Sequence, residues 1–137
     1  MDRKKPGQPN SPRVRILLIE DEDVVRRVTC EVLRGAGFIV LAARSAAEAR
    51  SVFCAQQGRI ALIVSDFLLP DTNGAALSED LKKTCPKLKR IIISGYPLVA
   101  LKNGGEPYDY LAKPFTRHSL LQKIHAVLRE AGTGISG

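Results

Sequence analysis

The sequence predicts an α/β domain in which the strands of five β-α repeats form a parallel sheet and the helices cover its two faces. Short apolar runs without polar alternation, such as Val14–Ile19 and Ile60–Val64, recur along the chain and suit strands that are covered on both faces. Segments with helical spacing of apolar residues separate these runs, and the connections are short. This alternation indicates an open, doubly wound sheet with helices on both faces.

Length and composition restrict the chain to one globular unit. It has 137 residues, of which 45% are hydrophobic and 26% charged, and this excludes a disordered or collagen-like chain. No apolar run is long enough to cross a bilayer, and none follows the basic N-terminal residues as in a secretory signal. Three widely spaced cysteines fit a reducing cytoplasm better than a disulfide framework.

The net charge of +7 is concentrated at the N-terminus. Residues 1–15 hold five basic side chains and one acid, whereas the rest of the chain holds 16 basic and 13 acidic side chains. The body therefore lacks the charge of a nucleic-acid binder. Proline, glycine and polar residues dominate residues 1–13, so we expect a flexible linker or leader there, a domain over 14–131 and a flexible tail over 132–137.

Each element is predicted from its own pattern. The strands are predicted at Val14–Ile19, Phe38–Ala43, Ile60–Val64, within Leu88–Ser94, and at Tyr108–Ala112. The helices are predicted around Val24–Leu33, from Ser45 to about Gln57, from about Ala75 to Thr84, briefly over Leu98–Lys102, and from Thr116 to Gly132. Ser45-Ala46-Ala47-Glu48 is a capping-box signature, and Thr116 is the expected N-cap of the last helix.

Polar side chains follow the carboxyl ends of four predicted strands, where ligands bind in open α/β sheets. They are Glu20 and Asp21 after the first strand, Asp66 after the third, Ser94 after the fourth and Lys113 after the fifth. Clustered carboxylates repel each other, and Mg²⁺ relieves that repulsion. A carboxylate beside Mg²⁺ can attack phosphorus, while the metal and a lysine neutralise the phosphoryl charge and a serine hydroxyl donates to a phosphoryl oxygen.

Each of these residues has a structural explanation when taken alone. Acids after a strand often compensate the dipole of the next helix, and an Asp at a strand end is often a turn residue. Only the ordered set, with each member at a strand end, favours a functional site.

Four motifs carry this set: Ile16–Glu22, Val64–Pro70 with Gly74, Ile92–Tyr96 and Tyr110–Phe115. Together and in this order they resemble the receiver domain of two-component response regulators, over about residues 14–130. The resemblance implies a flavodoxin-like sheet with strand order 2-1-3-4-5 and five helices. The segment between Ser94 and Lys113 is short for a full fourth helix, which puts dimerisation through the usual output face in doubt.

The resemblance also implies which residues hold the phosphoryl group and the metal. Asp66 is the expected phospho-acceptor. Asp21 is an expected direct Mg²⁺ ligand, Glu20 helps through a water, and the backbone carbonyl of Leu68 is the third protein contact. Glu20 stands where the family more often has Asp, and its longer side chain alters the expected position of that water.

The remaining roles that the resemblance implies concern switching and the lifetime of the phosphorylated state. Ser94 is the expected switch hydroxyl, Tyr110 the aromatic residue that turns inward with it, and Lys113 the partner of the acceptor or its phosphoryl group, with a cis Lys113–Pro114 bond. Leu68 and Tyr96 occupy the positions that admit or exclude hydrolytic water. Both side chains are large and mainly apolar, so we expect slow self-dephosphorylation.

The expected function is a signalling switch, phosphorylated by a histidine kinase or histidine phosphotransfer protein and read by a downstream protein. The chain ends soon after its last helix, so a helix-turn-helix output and direct DNA binding are not expected. Both a stand-alone regulator and a receiver from a hybrid kinase fit. Two alternatives stay open: an aspartate-nucleophile phosphatase of the haloacid dehalogenase type, which lacks its second Asp because Leu68 stands there, and a receiver-like interaction module that is not phosphorylated.

Overall fold

A computed structural model describes residues 13–95 and 109–136 of the chain. The strands are β1 (Arg15–Ile19), β2 (Ile39–Ala43), β3 (Leu62–Asp66), β4 (Lys89–Ser94) and β5 (Asp109–Ala112). The helices of the described part are α1 (Asp23–Gly35), α2 (Ala46–Ala55), α3 (Gly74–Thr84) and α4 (Arg117–Ser136). None of these helices is long and apolar enough to cross a bilayer.

The five strands form one parallel sheet in the order β2-β1-β3-β4-β5, which confirms the predicted topology. The register aligns the carboxyl ends of neighbouring strands. Ile19 lies beside Ser65, Asp66 beside Ile93, and the last residue of β4 beside the last residue of β5. The side chains that follow these strands therefore meet at one edge of the sheet.

Two apolar layers cover the sheet, because the strands are apolar on both faces. Alternate residues of β1 illustrate this: Ile16 and Leu18 belong to the layer with α1 and α4, whereas Leu17 and Ile19 belong to the layer with α2 and α3. All four side chains are buried. The two layers hold the sheet rigidly from both sides, so the edge that carries the polar residues stands on a packed core.

The predicted helix starts are confirmed, with one difference in detail. The Ser45 side chain caps α2 by accepting from the Glu48 N–H at 3.1 Å. The Glu48 carboxylate reaches back to the N–H of Arg44 at 2.7 Å rather than to that of Ser45. At the start of α4, the Thr116 hydroxyl accepts from the Ser119 N–H at 3.0 Å, and Ser119 Oγ accepts from the Thr116 N–H at 2.9 Å.

Several predicted boundaries are wrong. Strand β3 starts at Leu62 rather than Ile60 and includes Asp66 as its last residue. Helix α2 ends at Ala55, because Gln57 and the following glycine adopt positive φ angles of 53° and 81°. Helix α4 does not end at Gly132 but continues to Ser136; a glycine inside a helix costs only about 1 kcal/mol.

Some predictions concern residues that the structure does not describe. The short helix over Leu98–Lys102, and with it the expected fifth helix, lies outside the described residues. The proposed linker over 1–13 lies almost wholly outside them as well. The domain boundaries therefore stay predictions.

Replacing Gly74 by alanine is expected to destabilise the fold, because the first turn of α3 packs against the end of β3. A Cβ at Gly74 would clash with the backbone oxygen of Asp66 and with Ser65 Oγ. Such overpacking costs about 1–3 kcal/mol in free energy of unfolding, measurable by urea denaturation. Gly35→Ala is the matched control, since a Cβ there meets nothing within 4 Å. Equal effects of the two substitutions would contradict the steric explanation.

Candidate functional site

Three carboxylates meet at the carboxyl edge of the sheet, as the sequence predicted. Glu20 and Asp21 follow β1, and Asp66 ends β3. One oxygen atom from each side chain lies within 4.8 Å of the others. Because adjacent parallel strands bring their ends to the same edge, residues about 45 positions apart share one site.

Backbone contacts fix the position of Glu20. Its N–H donates to the Ala43 carbonyl at 3.0 Å, which extends the β1–β2 pairing by one residue. Its carbonyl accepts from Arg26 Nη1 at 2.9 Å, and its Oε2 accepts from the Glu22 N–H at 3.0 Å. The side chain is only 6% exposed. Glu20 is therefore a buried, oriented carboxylate at the floor of the site.

Lys113 is the ammonium group that faces these acids. Its Nζ lies 2.9 Å from Asp66 Oδ1 and 3.8 Å from Glu20 Oε1. Its backbone N–H donates to the Ser94 carbonyl at 3.0 Å, and this continues the β4–β5 pairing beyond the last strand residue. The Lys113–Pro114 peptide bond is cis, as expected from the resemblance.

The pKa directions reflect burial and this ion pair. Burial raises the pKa of Asp66 above its ordinary value, although the hydrogen bond and charge of Lys113 pull it down. Burial likewise raises the pKa of Glu20, against the hydrogen bond from the Glu22 N–H. Burial lowers the pKa of Lys113, but its hydrogen bond to Asp66 and the nearby carboxylates outweigh this, so the net direction is upward. The ammonium therefore stays charged.

The donor atoms fit a hard divalent cation. The three carboxylates are the one group of acids, histidines or cysteines within residues 13–95 and 109–136 that could hold a metal ion. Its ligands are all oxygen atoms, the donor set that suits Mg²⁺. Asp21 is exposed, and the Asp66 side chain is 13% exposed, so both can be reached from solvent.

The other predicted site residues lie near this cluster or outside the described residues. Ser94 is buried at the end of β4. The hydroxyl of Tyr110 donates to the Ser94 carbonyl at 3.3 Å, the same oxygen that accepts from the Lys113 N–H. Leu68, two residues after Asp66, has a side chain exposed to 55%. Tyr96 lies outside the described residues.

Sequence reasoning missed two residues that support the site. Arg26 donates to the Glu20 carbonyl and also pairs with Asp23 at 2.6 Å. Asp71 accepts from the N–H groups of Ala46 and Ala47, both at 3.0 Å. The i, i+3 spacing of Asp23 and Arg26 was a signal for their ion pair. No sequence signal identifies the contact of Asp71, because its partners lie in helix α2, far from Asp71 in the sequence.

The comparison with known families decides the identity of this arrangement. A family model described as the response regulator receiver domain matches residues 16–125. The chain belongs to this family. Receiver domains are modules of two-component signalling, so a phosphoacceptor switch is consistent with the match, and the phosphatase and the unphosphorylated interaction module are not favoured.

Individual relatives agree with this assignment. The chain is 32% identical over 117 residues to the response regulator receiver protein CpdR of Brucella abortus, covering 83% of this chain and 96% of CpdR. It is 32% identical over 118 residues to the sensor kinase CckA of Brucella abortus, covering 84% of this chain and 12% of CckA. A CheY-like receiver domain from Methanospirillum hungatei superposes with a TM-score of 0.77 at 28% identity, covering 90% of this chain and 99% of that one.

Several other relatives are longer than the region that this chain matches. The chain spans about half the length of several transcriptional regulatory proteins that it matches, and far less of CckA.

Asp66→Asn is expected to stabilise the metal-free receiver domain at neutral pH. The raised pKa of Asp66 means that the folded state binds its proton more tightly than the unfolded state, so the ionised form weakens folding. The gain should be largest at neutral pH and should shrink as the pH falls through the raised pKa. Urea denaturation in the presence of a chelator measures it.

Asp80→Asn is the control, because its expected change in the free energy of unfolding has the opposite sign. The hydrogen bond from Arg50 lowers the pKa of Asp80, so its ionised form supports folding and its removal should weaken folding at neutral pH. A gain from Asp66→Asn that did not change with pH would contradict the explanation by titration.

Proposed function

We propose that this receiver domain is a phosphoacceptor switch in which Asp66 takes a phosphoryl group from a phosphohistidine. The observation that carries the proposal is the pairing of Asp66 with Lys113 at 2.9 Å inside a cluster of three carboxylates. A structural ion pair would not require two further acids beside it, since like charges destabilise one another. A site that binds a cation and a phosphoryl group explains all four residues.

The transfer step uses the partly exposed carboxylate of Asp66 as nucleophile. One of its oxygens attacks phosphorus, and a P–O bond forms as the P–N bond to the donor imidazole breaks. The bonding electron pair returns to the imidazole, which takes up a proton from solvent. Lys113 neutralises charge on the phosphoryl oxygens; electrostatic stabilisation of this kind, together with positioning, supplies most of the catalysis in phosphoryl transfer.

The metal ligands in this proposal are the carboxylates of Asp21 and Asp66 and the backbone carbonyl of Leu68, with Glu20 acting through a water. When bound, Mg²⁺ would offset the negative charge of these acids and of the phosphoryl group. The deeper position of Glu20, whose Oε2 is already bonded to the Glu22 N–H, supports an indirect role. The exposure of Asp21 supports a direct one.

Switching in this proposal starts at Ser94 and Tyr110. The phosphoryl group attracts the Ser94 hydroxyl as a hydrogen-bond donor. The backbone of Ser94 is joined to the Tyr110 hydroxyl and to Lys113, so a displacement of Ser94 is transmitted to the aromatic side chain. The surface around Tyr110 then differs between the two states and can be read by a downstream protein.

The phosphodonor in this proposal is a histidine kinase or histidine phosphotransfer protein in the cytoplasm. The domain itself carries out only phosphorylation from that donor and slow loss of the phosphoryl group. The family membership supports this assignment.

Asp66→Asn is expected to abolish phosphorylation, because the amide is not a nucleophile at this position. Intact-mass spectrometry after incubation with acetyl phosphate and Mg²⁺ measures the phosphorylated fraction. Asp80→Asn, which alters an exposed acid on α3, is expected to keep it. A chelator should prevent labelling of the wild type. Labelling of Asp66→Asn to the wild-type extent would contradict the proposal.

The phosphorylated domain is expected to lose its phosphoryl group slowly, over minutes or longer. Leu68 is apolar and largely exposed, so it cannot orient a water toward phosphorus. Leu68→Asn should accelerate the decay, whereas Leu68→Met should not. The decay of the phosphorylated species is followed by mass spectrometry after the donor is removed. A wild-type half-life of seconds would be incompatible with this role of Leu68.

A further inference from the structure

The loop after the proposed acceptor is attached to a helix far from it in sequence. This loop, Phe67–Asn73, connects β3 to α3 and is called the acceptor loop here. At its tip, Asp71 Oδ1 accepts from the Ala46 N–H and Asp71 Oδ2 from the Ala47 N–H, both at 3.0 Å. One carboxylate thus uses both oxygens on two successive N–H groups of α2.

These contacts complete the N-terminus of α2. The first N–H groups of a helix have no partner within the helix. The side chain of Ser45 satisfies only the N–H of Glu48. Asp71 satisfies the two N–H groups before it, and its negative charge lies at the positive end of the helix. The two bonds to Ala46 and Ala47 lower the pKa of Asp71, so the carboxylate is ionised.

The other hydrogen bonds of the acceptor loop fix its two ends and close its turn, and the partly buried Leu69 packs against the apolar layer that contains α2 and α3. The Phe67 N–H donates to the Ile93 carbonyl at 2.8 Å, the Gly74 N–H to the Phe67 carbonyl at 2.7 Å, and the Leu69 N–H to the Thr72 carbonyl at 3.0 Å. The first two bonds fix the ends of the loop. The third closes its turn without joining it to another element.

The helix to which the tip is bonded is well packed. Ala46, Ala49 and Phe53 of α2 are buried in the apolar layer on that side of the sheet. Between Leu68 and Thr72, the two bonds of Asp71 are the hydrogen bonds by which the described part of the structure joins the acceptor loop to another helix. They tie the loop to a rigid neighbour.

We propose that Asp71 is a positioning residue, which holds the acceptor loop against α2 so that the backbone carbonyl of Leu68 is directed at the metal site. This inference rests on the proposed function, in which that carbonyl is a metal contact. Asp71 acts through the loop and touches neither the metal nor the phosphoryl group. Loss of its two hydrogen bonds releases the tip, and the Leu68 carbonyl then loses its fixed direction.

The test measures Mg²⁺ affinity by isothermal titration calorimetry with the metal alone. Asp71→Ala is expected to weaken Mg²⁺ binding by about three- to tenfold, less than the roughly 10- to 100-fold loss typical of residues that bond directly to metal ligands, because Asp71 acts through the loop backbone. Ser45→Ala is the matched control, because it removes a cap from the same helix end without releasing the loop. It should leave the affinity within about twofold of wild type.

Asp71→Asn separates hydrogen bonding from charge. The asparagine oxygen still accepts one N–H bond, whereas its NH₂ group cannot accept the second, so the affinity should lie between those of wild type and Asp71→Ala. Equal losses in the asparagine and alanine variants would assign the effect to charge and overturn the positioning role.

Amide hydrogen exchange supplies a readout that does not depend on metal. Asp71→Ala should accelerate exchange of the Leu69 N–H within the acceptor loop, while Ser45→Ala should accelerate exchange at Glu48 only. Unchanged exchange at Leu69 together with unchanged Mg²⁺ affinity in Asp71→Ala would overturn the inference. A wild-type protein that binds Mg²⁺ but is not phosphorylated contradicts the proposed function alone, whereas a wild type that binds no Mg²⁺ overturns both.

Discussion

The main constraint on this domain is the mutual repulsion of three carboxylates that the strand register holds at one edge of the parallel sheet. Glu20, Asp21 and Asp66 are brought together by strand register and not by any attraction of their own. Lys113 compensates part of their charge, and the remainder leaves the site suited to a cation. The packing of the sheet thus holds together three carboxylates whose mutual repulsion is unfavourable.

The surrounding structure offsets the repulsion among these carboxylates in two ways. The apolar layers on the two faces of β1 and β3 supply the burial that offsets the local repulsion. Hydrogen bonds then orient Glu20 individually. Glu20, the most buried of the three, has its amide, its carbonyl and one carboxylate oxygen all bonded, which leaves its other oxygen facing the site. Burial without these bonds would cost several kcal/mol.

The sequence predicted the sheet and the edge residues because both follow from local patterns. An apolar run such as Ile60–Val64 predicts a buried strand, and the strand-end rule then identifies Asp66. The start of β3 and the contacts of Asp71 were missed because both depend on residues distant in the sequence. The start of β3 is set by pairing of Leu62 with its neighbours and not by the apolar run, which begins two residues earlier. The bonds of Asp71 join residues 25 positions apart, and nothing in the turn sequence around Asp71 indicates them.

The two sides of the site differ in how firmly they are held. On the α2 side, the acceptor loop is bonded to a helix whose inner face is buried. On the other side, β5 has four residues, and none of them is fully buried. The Ser94 carbonyl accepts from both Lys113 and Tyr110, so it links the charged site to β5, the edge strand of the sheet. In the proposed switch, charge added at Asp66 therefore acts through Ser94 on a strand whose residues are only partly buried among the described residues, and a surface near Tyr110 changes while the metal contacts stay fixed.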